Sequence, residues 1–298
     1  MSRESTILLT GANGQIGHAL RERLGRFGTV VATSRDGSVG RVLDLASPDS
    51  IRDSVRALKP TLIVNPAAYT AVDRAESEPE LASRINAHAP AVFAAEARRC
   101  GAALVHFSTD YVYDGQGDEP RDEGADTGPL NVYGRTKLAG DQAIVDSGVP
   151  HLILRTSWVY SLRGANFLLT MRRLLAERAN VRVVADQIGA PTWSVTVAEA
   201  LIGALDSIHA DGIADIASAS GIYHVTARGE TSWHGFALAI RDELGLDCAI
   251  DPIASTDWPT PACRPLNSRL DCARFERRFN VELPDWRVAL RRCLQEGD

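Results

Sequence analysis

The chain has 298 residues, of which 45% are hydrophobic and 23% are charged, and its formal net charge is −6. This composition is that of a globular protein with a sizeable core, and it excludes a disordered or collagen-like chain. The acidic balance argues against a general binder of nucleic acid or anionic membrane, because a basic excess supplies most of the affinity in such proteins.

The cysteines and the apolar runs indicate in which cellular compartment the protein is expected. Five cysteines, none of them in a C-x-x-C pair, predict neither a disulfide framework nor a zinc site. No stretch approaches the ~18 uncharged apolar residues of a membrane span, and no signal-peptide pattern opens the chain. We therefore expect a cytoplasmic protein without a metal site that contacts neither a membrane nor a nucleic acid.

Short apolar runs alternate with helical patterns in the first half of the chain. In chain order, we predict a strand at 6–10, a helix with residues 16, 20, 24 and 27 on its apolar face, strands at 29–33, 41–43 and 61–65, a helix over about 80–99, a strand at 103–107, a helix over about 133–146 and a strand at 151–155. Buried strands that alternate with helices are typical of a parallel sheet covered on both faces. Right-handed crossovers then give a doubly wound, Rossmann-like α/β fold.

The pattern loosens after about residue 160. Here we predict a helix over 166–178, a strand at 181–184, a helix over about 196–208, a strand at 222–225, a helix that opens at about 231 and a proline-rich loop at 252–265. We expect a dinucleotide-binding domain at 1–160, to which parts of 180–255 return. A second, smaller α/β substrate lobe, mainly 161–298, is expected to interleave with it.

A glycine-rich turn joins the first strand to the first helix. Its spacing is G-x-x-G-x-x-G, from Gly11 to Gly17, with Asn13 and Gly14 between them. Glycines in this place let the backbone approach a pyrophosphate, and the helix N-terminus offers unpaired N–H groups and a positive dipole end. The motif is weak alone, but the flanking strand and helix make it a predicted dinucleotide site.

The end of the second strand bears on the choice of nucleotide. An acidic residue there accepts the ribose 2′-OH of NAD, whereas this chain has Arg35, followed by Asp36. An arginine can pair bidentately with a 2′-phosphate, so Arg35 favours NADPH. Asp36 leaves NADH as the alternative.

Tyr133 and Lys137 are four residues apart on a predicted helix, which places them on one face. A free phenol has a pKa of ~10, and a nearby ammonium lowers it, so the pair is suited to acid–base chemistry near neutral pH. Lys137 can also hold the cofactor ribose. Ser108 and Thr109 follow a buried strand, where a hydroxyl can hydrogen-bond a carbonyl together with Tyr133. Asp110 has no second carboxylate or histidine at ligand spacing and is not expected to bind a metal.

Together, the glycine turn, the Ser-Thr pair and the Tyr-x-x-x-Lys motif resemble the extended short-chain dehydrogenases/reductases. More specific blocks lie at residues 65–79, 108–115, 155–160, 186–192, 221–224, 231–236 and 264–271. They read NPAAYTAVDRAESEP, STDYVYDG, RTSWVY, DQIGAPT, GIYH, TSWHGF and RPLNSRLD. This series resembles the dTDP-4-dehydrorhamnose reductase family over nearly the whole chain.

The resemblance implies an NADPH- or NADH-dependent oxidoreductase that reduces the 4-keto group of dTDP-4-dehydrorhamnose to give dTDP-L-rhamnose. By position, it implies Tyr133 as the proton donor, Lys137 as its partner on the nicotinamide ribose and Thr109 as a hydrogen-bond partner of the reacting carbonyl. It further implies pyrophosphate contacts for Gly14, Gln15 and Ile16, adenine contacts for Asp44 and Leu45, a cofactor groove lined by Ala68, Tyr69 and Thr70, and substrate contacts for Asp110, Trp158, Arg264 and Asn267.

Two of the departures from the family pattern bear on these expectations. Some members form a dimer bridged by Mg²⁺ through glutamates, one of them on the first helix, where this chain has Ala19. We therefore expect a monomer or a weak homodimer without a bridging metal. Asp141 replaces the more usual glutamate, which is interpreted as a change on a helix surface.

Two other functions stay open. One is a reductase of another nucleotide-4-ketosugar, in an antibiotic deoxysugar or streptose pathway, which would use the same catalytic residues. The other is a non-catalytic, NADP-binding regulatory subunit. The presence of Thr109, Tyr133 and Lys137 favours an enzyme, since a regulatory relic is free to lose them.

Overall fold

A computed structural model describes residues 5–208 and 215–296. Its strands are β1 (Thr6–Leu9), β2 (Thr29–Ser34), β3 (Arg41–Val42), β4 (Leu62–Asn65), β5 (Ala103–Thr109), β6 (His151–Thr156), β7 (Val159–Tyr160), β8 (Asn180–Val184), β9 (Ile188–Gly189), β10 (Thr192–Trp193), β11 (Gly221–His224), β12 (Thr231–Ser232) and β13 (Ala249–Ile253). Its α-helices are α1 (Gln15–Arg23), α2 (Pro48–Leu58), α3 (Val72–Ala75), α4 (Pro79–Ser83), α5 (Ala89–Cys100), α6 (Val132–Ser147), α7 (Phe167–Glu177), α8 (Ser194–Ser207), α9 (Trp233–Glu243), α10 (Ala273–Phe279) and α11 (Trp286–Glu296).

Seven parallel strands form the central sheet, in the order β11-β6-β5-β4-β1-β2-β3. The chain builds outwards from β1 through β2 to β3, and then in the other direction from β4 through β5 to β6. The order therefore reverses between β1 and β4, and a crevice opens at the carboxyl ends of these two strands. This arrangement confirms the predicted doubly wound, Rossmann-like α/β fold.

Both faces of the sheet are buried, as the near-continuous apolar strands predict. Alternate side chains along β1 enter different cores: Ile7 and Leu9 pack on one face, whereas Leu8 packs on the other. The second face is covered by α2 and α5, and α8 packs against α1 on the first. The sheet is therefore a rigid support for the loops at its carboxyl edge.

The predicted helix over 80–99 is interrupted. It consists of α4, a π-helical turn at Arg84–His88 and α5. Pro90 lies in the first turn of α5 and has no N–H to donate to a regular helical ladder, which accounts for the widened turn. The turn brings the Asn86 carbonyl against Gly140 of α6, where a side chain would not fit.

The second half of the chain returns to the first. β11 extends the central sheet beside β6, and three two-stranded sheets pair β10 with β7, β12 with β9 and β13 with β8. The predicted division at residue 160 stays a prediction. The expected loop at 252–265 is wrong at its start, because Pro252 lies inside β13. A two-stranded sheet tolerates this proline, since it has only edge strands.

No helix in residues 5–208 or 215–296 combines the length and the apolar character that crossing a membrane requires.

Candidate active site

A cavity of about 740 Å³ opens at the carboxyl edge of the sheet. Its walls come from the segments that follow β1 to β6, from α6, and from the start of α7 and α9. The predicted site residues that line it are Gly11, Asn13, Gly14, Gln15, Ile16, Gly17, Arg35, Asp44, Leu45, Ala68, Thr70, Ser108, Thr109, Asp110, Tyr133, Lys137 and Trp158. Residues scattered over the first 160 positions thus meet at one place.

The glycine turn has the shape that a pyrophosphate requires. Gly11 is left-handed (φ +55°), and Gly14 precedes α1 without a side chain to cap it. A Cβ on Gly17 would lie well under 3.0 Å from the Gly11 carbonyl oxygen. The first N–H groups of α1 therefore face the cavity unobstructed, and the turn fits a dinucleotide.

Gly17→Ala is expected to weaken NADPH binding by about tenfold or more, because the new methyl group displaces the Gly11 carbonyl and with it the turn. Titration of the quenching of protein fluorescence by NADPH measures the change. Gly25→Ala is the matched control, since no atom lies within 4 Å of the added methyl group. Equal dissociation constants for both variants would contradict the role of the turn.

The far end of the cavity carries the residues predicted to select the nucleotide. Arg35 lines the cavity and makes no ion pair with any described carboxylate. The Asp36 carboxylate instead accepts hydrogen bonds from the Ser38 hydroxyl (2.7 Å) and backbone N–H (3.1 Å), which lower its pKa to about 2. Arg35 is thus available to a ligand, while Asp36 is engaged on its own loop.

Tyr133 and Thr109 lie together in the middle of the cavity. Both side chains line the cavity, and the Tyr133 ring packs edge-on against Tyr111 at 5.5 Å between centroids. Burial raises the pKa of the Tyr133 phenol above its ordinary value, and the neighbouring Thr109 hydroxyl opposes this only in part. The phenol therefore stays protonated, as a proton donor must.

The expected effect of Lys137 on this phenol is wrong. The Lys137 Nζ donates to the Phe107 carbonyl oxygen (2.6 Å) and contacts His106 Nε2 (3.2 Å). Burial, rather than the nearby ammonium, controls the pKa of Tyr133, which is raised and not lowered. Burial also lowers the pKa of Lys137 itself, to about 8. The spacing gave the correct helix face but not the direction of the shift.

Asp110 is a buried carboxylate on the same wall. Its Oδ1 accepts a hydrogen bond from the Thr109 hydroxyl (3.1 Å), whereas its Oδ2 has no partner within hydrogen-bond distance. Burial raises its pKa to about 6. Among the described residues, no group of three histidine, cysteine or acidic side chains is arranged to hold a metal ion.

An aromatic corner closes the cavity, and only part of it was predicted. Trp158 stacks on Trp233 with 3.7 Å between ring centroids, and Phe167 packs against Trp233 with 4.6 Å between centroids. Trp158 is left-handed (φ +48°), which costs about 1–3 kcal/mol and is held by this stack and by Gly189, where a Cβ would strike the indole. Trp233 lies in the TSWHGF block, and the aromatic residues of that block were the signal from which this corner could have been predicted.

Three predicted residues do not line the cavity. The Tyr69 hydroxyl donates to the Glu78 carboxylate (2.6 Å) instead. The Arg264 guanidinium makes a bidentate ion pair with Asp73 (2.8 and 3.1 Å). The Asn267 amide is buried and donates to the Glu119 carbonyl (2.9 Å). The structure does not bring these side chains to the others.

Asp141 is not on a helix surface, so that interpretation is wrong. Its Oδ2 accepts hydrogen bonds from the Ser108 hydroxyl (2.8 Å) and from Arg155 Nε (3.2 Å), and the ion pair is buried. The Arg155 Nη1 donates onward to the Tyr113 hydroxyl (2.8 Å). α6 faces the sheet at this position, which helical periodicity did not reveal. Ala19 is likewise buried, in the core beside α8.

The chain is similar over nearly its whole length to proteins with a known activity. A family model described as the RmlD substrate binding domain matches residues 5–298. A dTDP-4-dehydrorhamnose reductase of Burkholderia thailandensis is 44% identical, over 97% of this chain and 98% of that protein. One of Salmonella typhimurium is 43% identical, over 97% of each.

Solved structures give the same result. A dTDP-4-dehydrorhamnose reductase of Bacillus anthracis in complex with NADP superposes with a TM-score of 0.88 at 33% identity, over 99% of this chain and 100% of that chain. A UDP-glucose 4-epimerase of Thermus thermophilus in complex with NAD superposes with a TM-score of 0.76 at 20% identity, over 97% and 98%. The second similarity concerns the fold alone.

Proposed function

This chain belongs to the dTDP-4-dehydrorhamnose reductase family, and on that premise we propose that it reduces the 4-keto group of dTDP-4-dehydrorhamnose to give dTDP-L-rhamnose, with NADPH as reductant. The observation that carries the proposal is the position of the Tyr133 phenol. It lies beside Thr109 in a cavity that begins at the glycine turn. A dinucleotide in that turn and a ketone at Tyr133 would therefore share one cavity.

Each residue is assigned a role in the proposed reaction from its position in the cavity. When bound, the nicotinamide of NADPH supplies the hydride that C4 of the sugar accepts. Tyr133 holds the proton that the new alkoxide takes up, and the Thr109 hydroxyl orients the same oxygen. Lys137 is assigned to the nicotinamide ribose, and the glycine turn, from Gly11 to Gly17, is assigned to the pyrophosphate.

The remaining ligand contacts are proposals of the same kind. Asp44, Leu45, Ala68 and Thr70 would hold the adenine and the cofactor groove, and Asp110 and Trp158 would contact the sugar nucleotide. Tyr69, Arg264 and Asn267 reach either ligand only if their side chains leave their present partners.

We also propose where the chain acts and in what form. Residues 161–298 would supply most of the substrate lobe, since Phe167 and Trp233 close the aromatic corner. All five cysteines are free thiols, as in a reducing cytoplasm. The buried Ala19 offers no metal ligand, so the active form would be a monomer or a weak homodimer without a bridging ion.

Arg35→Ala is expected to raise the KM for NADPH by about tenfold and to leave the KM for NADH nearly unchanged, because only NADPH carries a 2′-phosphate for the guanidinium. Initial rates with each nucleotide measure the effect. Arg41→Ala, on the exposed edge strand β3, is the control for a lost surface charge. Equal changes for both nucleotides would contradict the assignment of Arg35 to the 2′-phosphate.

The proposed reaction is tested by incubating the protein with NADPH and dTDP-4-dehydrorhamnose and identifying the product by NMR. Formation of dTDP-L-rhamnose supports the proposal. Turnover only with a different nucleotide-4-ketosugar would move the function to another deoxysugar pathway. Binding of NADPH without turnover of any such substrate would favour a regulatory subunit.

A further inference from the structure

Lys137 contacts a buried histidine, His106, which has no role in the proposed mechanism. His106 lies in the middle of β5, and 1% of its surface is exposed. Its Nε2 lies 3.2 Å from the Lys137 Nζ, which also donates to the Phe107 carbonyl oxygen. An ammonium has three N–H groups to place. When His106 Nε2 accepts one and the Phe107 carbonyl another, one is left for the cavity that Lys137 lines.

The histidine is itself held from behind by a chain of hydrogen bonds. The Asn65 Nδ2 lies 3.1 Å from His106 Nδ1, and the Asn65 Oδ1 accepts a hydrogen bond from the Thr10 hydroxyl (2.6 Å). The Thr10 hydroxyl in turn accepts from the Ala67 backbone N–H (3.3 Å). All of these side chains are buried, and Thr10 adjoins the glycine turn.

Every side chain in this series can act as either donor or acceptor. With Asn65 Nδ2 facing His106, Nδ1 accepts, so a neutral ring carries its hydrogen on Nε2 and suits a neutral Lys137 amine. If the amide turns by 180°, Oδ1 accepts from Nδ1–H, and the free lone pair on Nε2 suits an ammonium. Thr10 adapts as well, since its hydroxyl can accept from Nδ2 or donate to Oδ1. From Asn65 to Lys137, the series therefore has one hydrogen-bonding pattern for each charge state of Lys137.

We propose that His106 is a positioning residue for Lys137. With Asn65 and Thr10 behind it, His106 holds the Lys137 Nζ in both charge states, so that this buried lysine gains or loses a proton without leaving the cavity wall. The inference rests on the proposed function, in which Lys137 binds the nicotinamide ribose.

The surrounding charges agree with this role. Burial, followed by the charge of Lys137, lowers the pKa of His106 well below its ordinary value, so the ring stays neutral and free to change tautomer. Burial lowers the pKa of Lys137 to about 8, which populates both charge states near neutral pH. The charge of Asp141, one turn further along α6, acts against burial and raises the pKa of Lys137. Asp141 is itself paired with Arg155 on β6. Tyr133, on the same helix face, stays neutral because its pKa is raised.

The composition makes Lys137 directly observable, because the chain has only two lysines. In a Lys59→Arg background, protein labelled with ¹³C-lysine gives a single Cε resonance, whose shift against pH reports the charge of Lys137. The His106→Phe substitution removes the Nε2 partner. A charge-assisted hydrogen bond is roughly twice as strong as a neutral one, so the ammonium loses more than the amine. We expect the titration midpoint to fall by about one pH unit or more.

Two further variants separate this role from a structural one. His106→Gln should keep the midpoint near that of the wild type, because an amide also presents either an oxygen or an N–H. Asn65→Asp should raise the midpoint, because a carboxylate oxygen only accepts and so requires Nδ1–H on the ring. His224→Phe removes another buried histidine, which contacts the Tyr113 hydroxyl and not Lys137, and should leave the midpoint unchanged. If His106→Phe does not fold, the Gln and Asp variants still test the proposal.

NADPH binding provides the second readout. The dissociation constant at pH 7 should rise about tenfold in His106→Phe and stay within about twofold of wild type in His106→Gln. Unchanged midpoints in His106→Phe and Asn65→Asp would overturn the inference, as would a midpoint shift in His224→Phe of the same size. A wild-type protein that binds NADPH but reduces no ketosugar would instead overturn the proposed function, since the Lys137 titration needs no substrate.

Discussion

Tyr133→Phe is expected to lower kcat by about a thousandfold, because it removes the hydroxyl that is proposed to protonate the alkoxide. The ring stays in place, since its edge-on packing against Tyr111 does not involve the hydroxyl. The substitution therefore leaves the cofactor part of the cavity intact, and the dissociation constant for NADPH should change by less than about twofold. Initial rates of NADPH oxidation and fluorescence titrations measure the two effects.

Tyr223→Phe is the control for this substitution. It removes a phenol hydroxyl that donates to the Ala219 carbonyl (2.9 Å) and does not line the cavity. Its kcat should stay close to that of the wild type. A Tyr133→Phe enzyme that loses cofactor affinity and kcat in equal measure would contradict the assignment of Tyr133 as the proton donor.

Arg155→Met is expected to destabilise the fold by about 3–5 kcal/mol at pH 7, since it leaves the buried Asp141 carboxylate without its ion-pair partner. Burial already raises the pKa of Asp141, and the loss of Arg155 raises it further. A raised pKa in the folded state means that stability is lost as pH increases through that pKa. The variant should therefore be less destabilised at pH 5 than at pH 7. Urea unfolding at both pH values measures the difference.

Two variants control for this effect. Arg155→Met combined with Asp141→Asn removes both charges and should recover part of the lost free energy of unfolding. Arg173→Met breaks an exposed pair with Glu177 and should cost less than about 1 kcal/mol. Two results would contradict a stabilising role for the buried pair. In one, Arg155→Met lowers the free energy of unfolding no more than Arg173→Met does. In the other, the loss caused by Arg155→Met grows towards pH 5.

The local elements were largely predictable, because burial on both faces leaves a direct pattern in the sequence. The apolar runs at 103–107 and 151–155 correspond to β5 and β6, and the glycine turn and the Tyr133–Lys137 spacing identified the cavity. Proline misled the prediction at β13, since an edge strand tolerates it whereas a central strand does not. The helix α2 carries a clear apolar face, with Ile51 and Val55 buried, and was not predicted.

Tertiary partners were less predictable, because periodicity indicates which side chains are buried and not what they contact. The direction of the pKa shift at Tyr133 depends on how deeply α6 is covered, which no spacing reveals. Asn65 at the end of β4 and His106 in the middle of β5 did leave a signal, as buried polar residues in largely apolar strands. Such residues need buried partners, and they form the series behind Lys137.

A deuterium label tests the proposed hydride transfer from NADPH to the sugar and its dependence on Tyr133. The protein is incubated with dTDP-4-dehydrorhamnose and NADPH that is deuterated at nicotinamide C4 on the transferred side, and the sugar product is examined by mass spectrometry and NMR. We expect dTDP-L-rhamnose with one deuterium at C4, formed by the wild type and nearly absent with Tyr133→Phe. A product without deuterium at C4, or no consumption of the ketosugar while NADPH is bound, would contradict the proposed transfer.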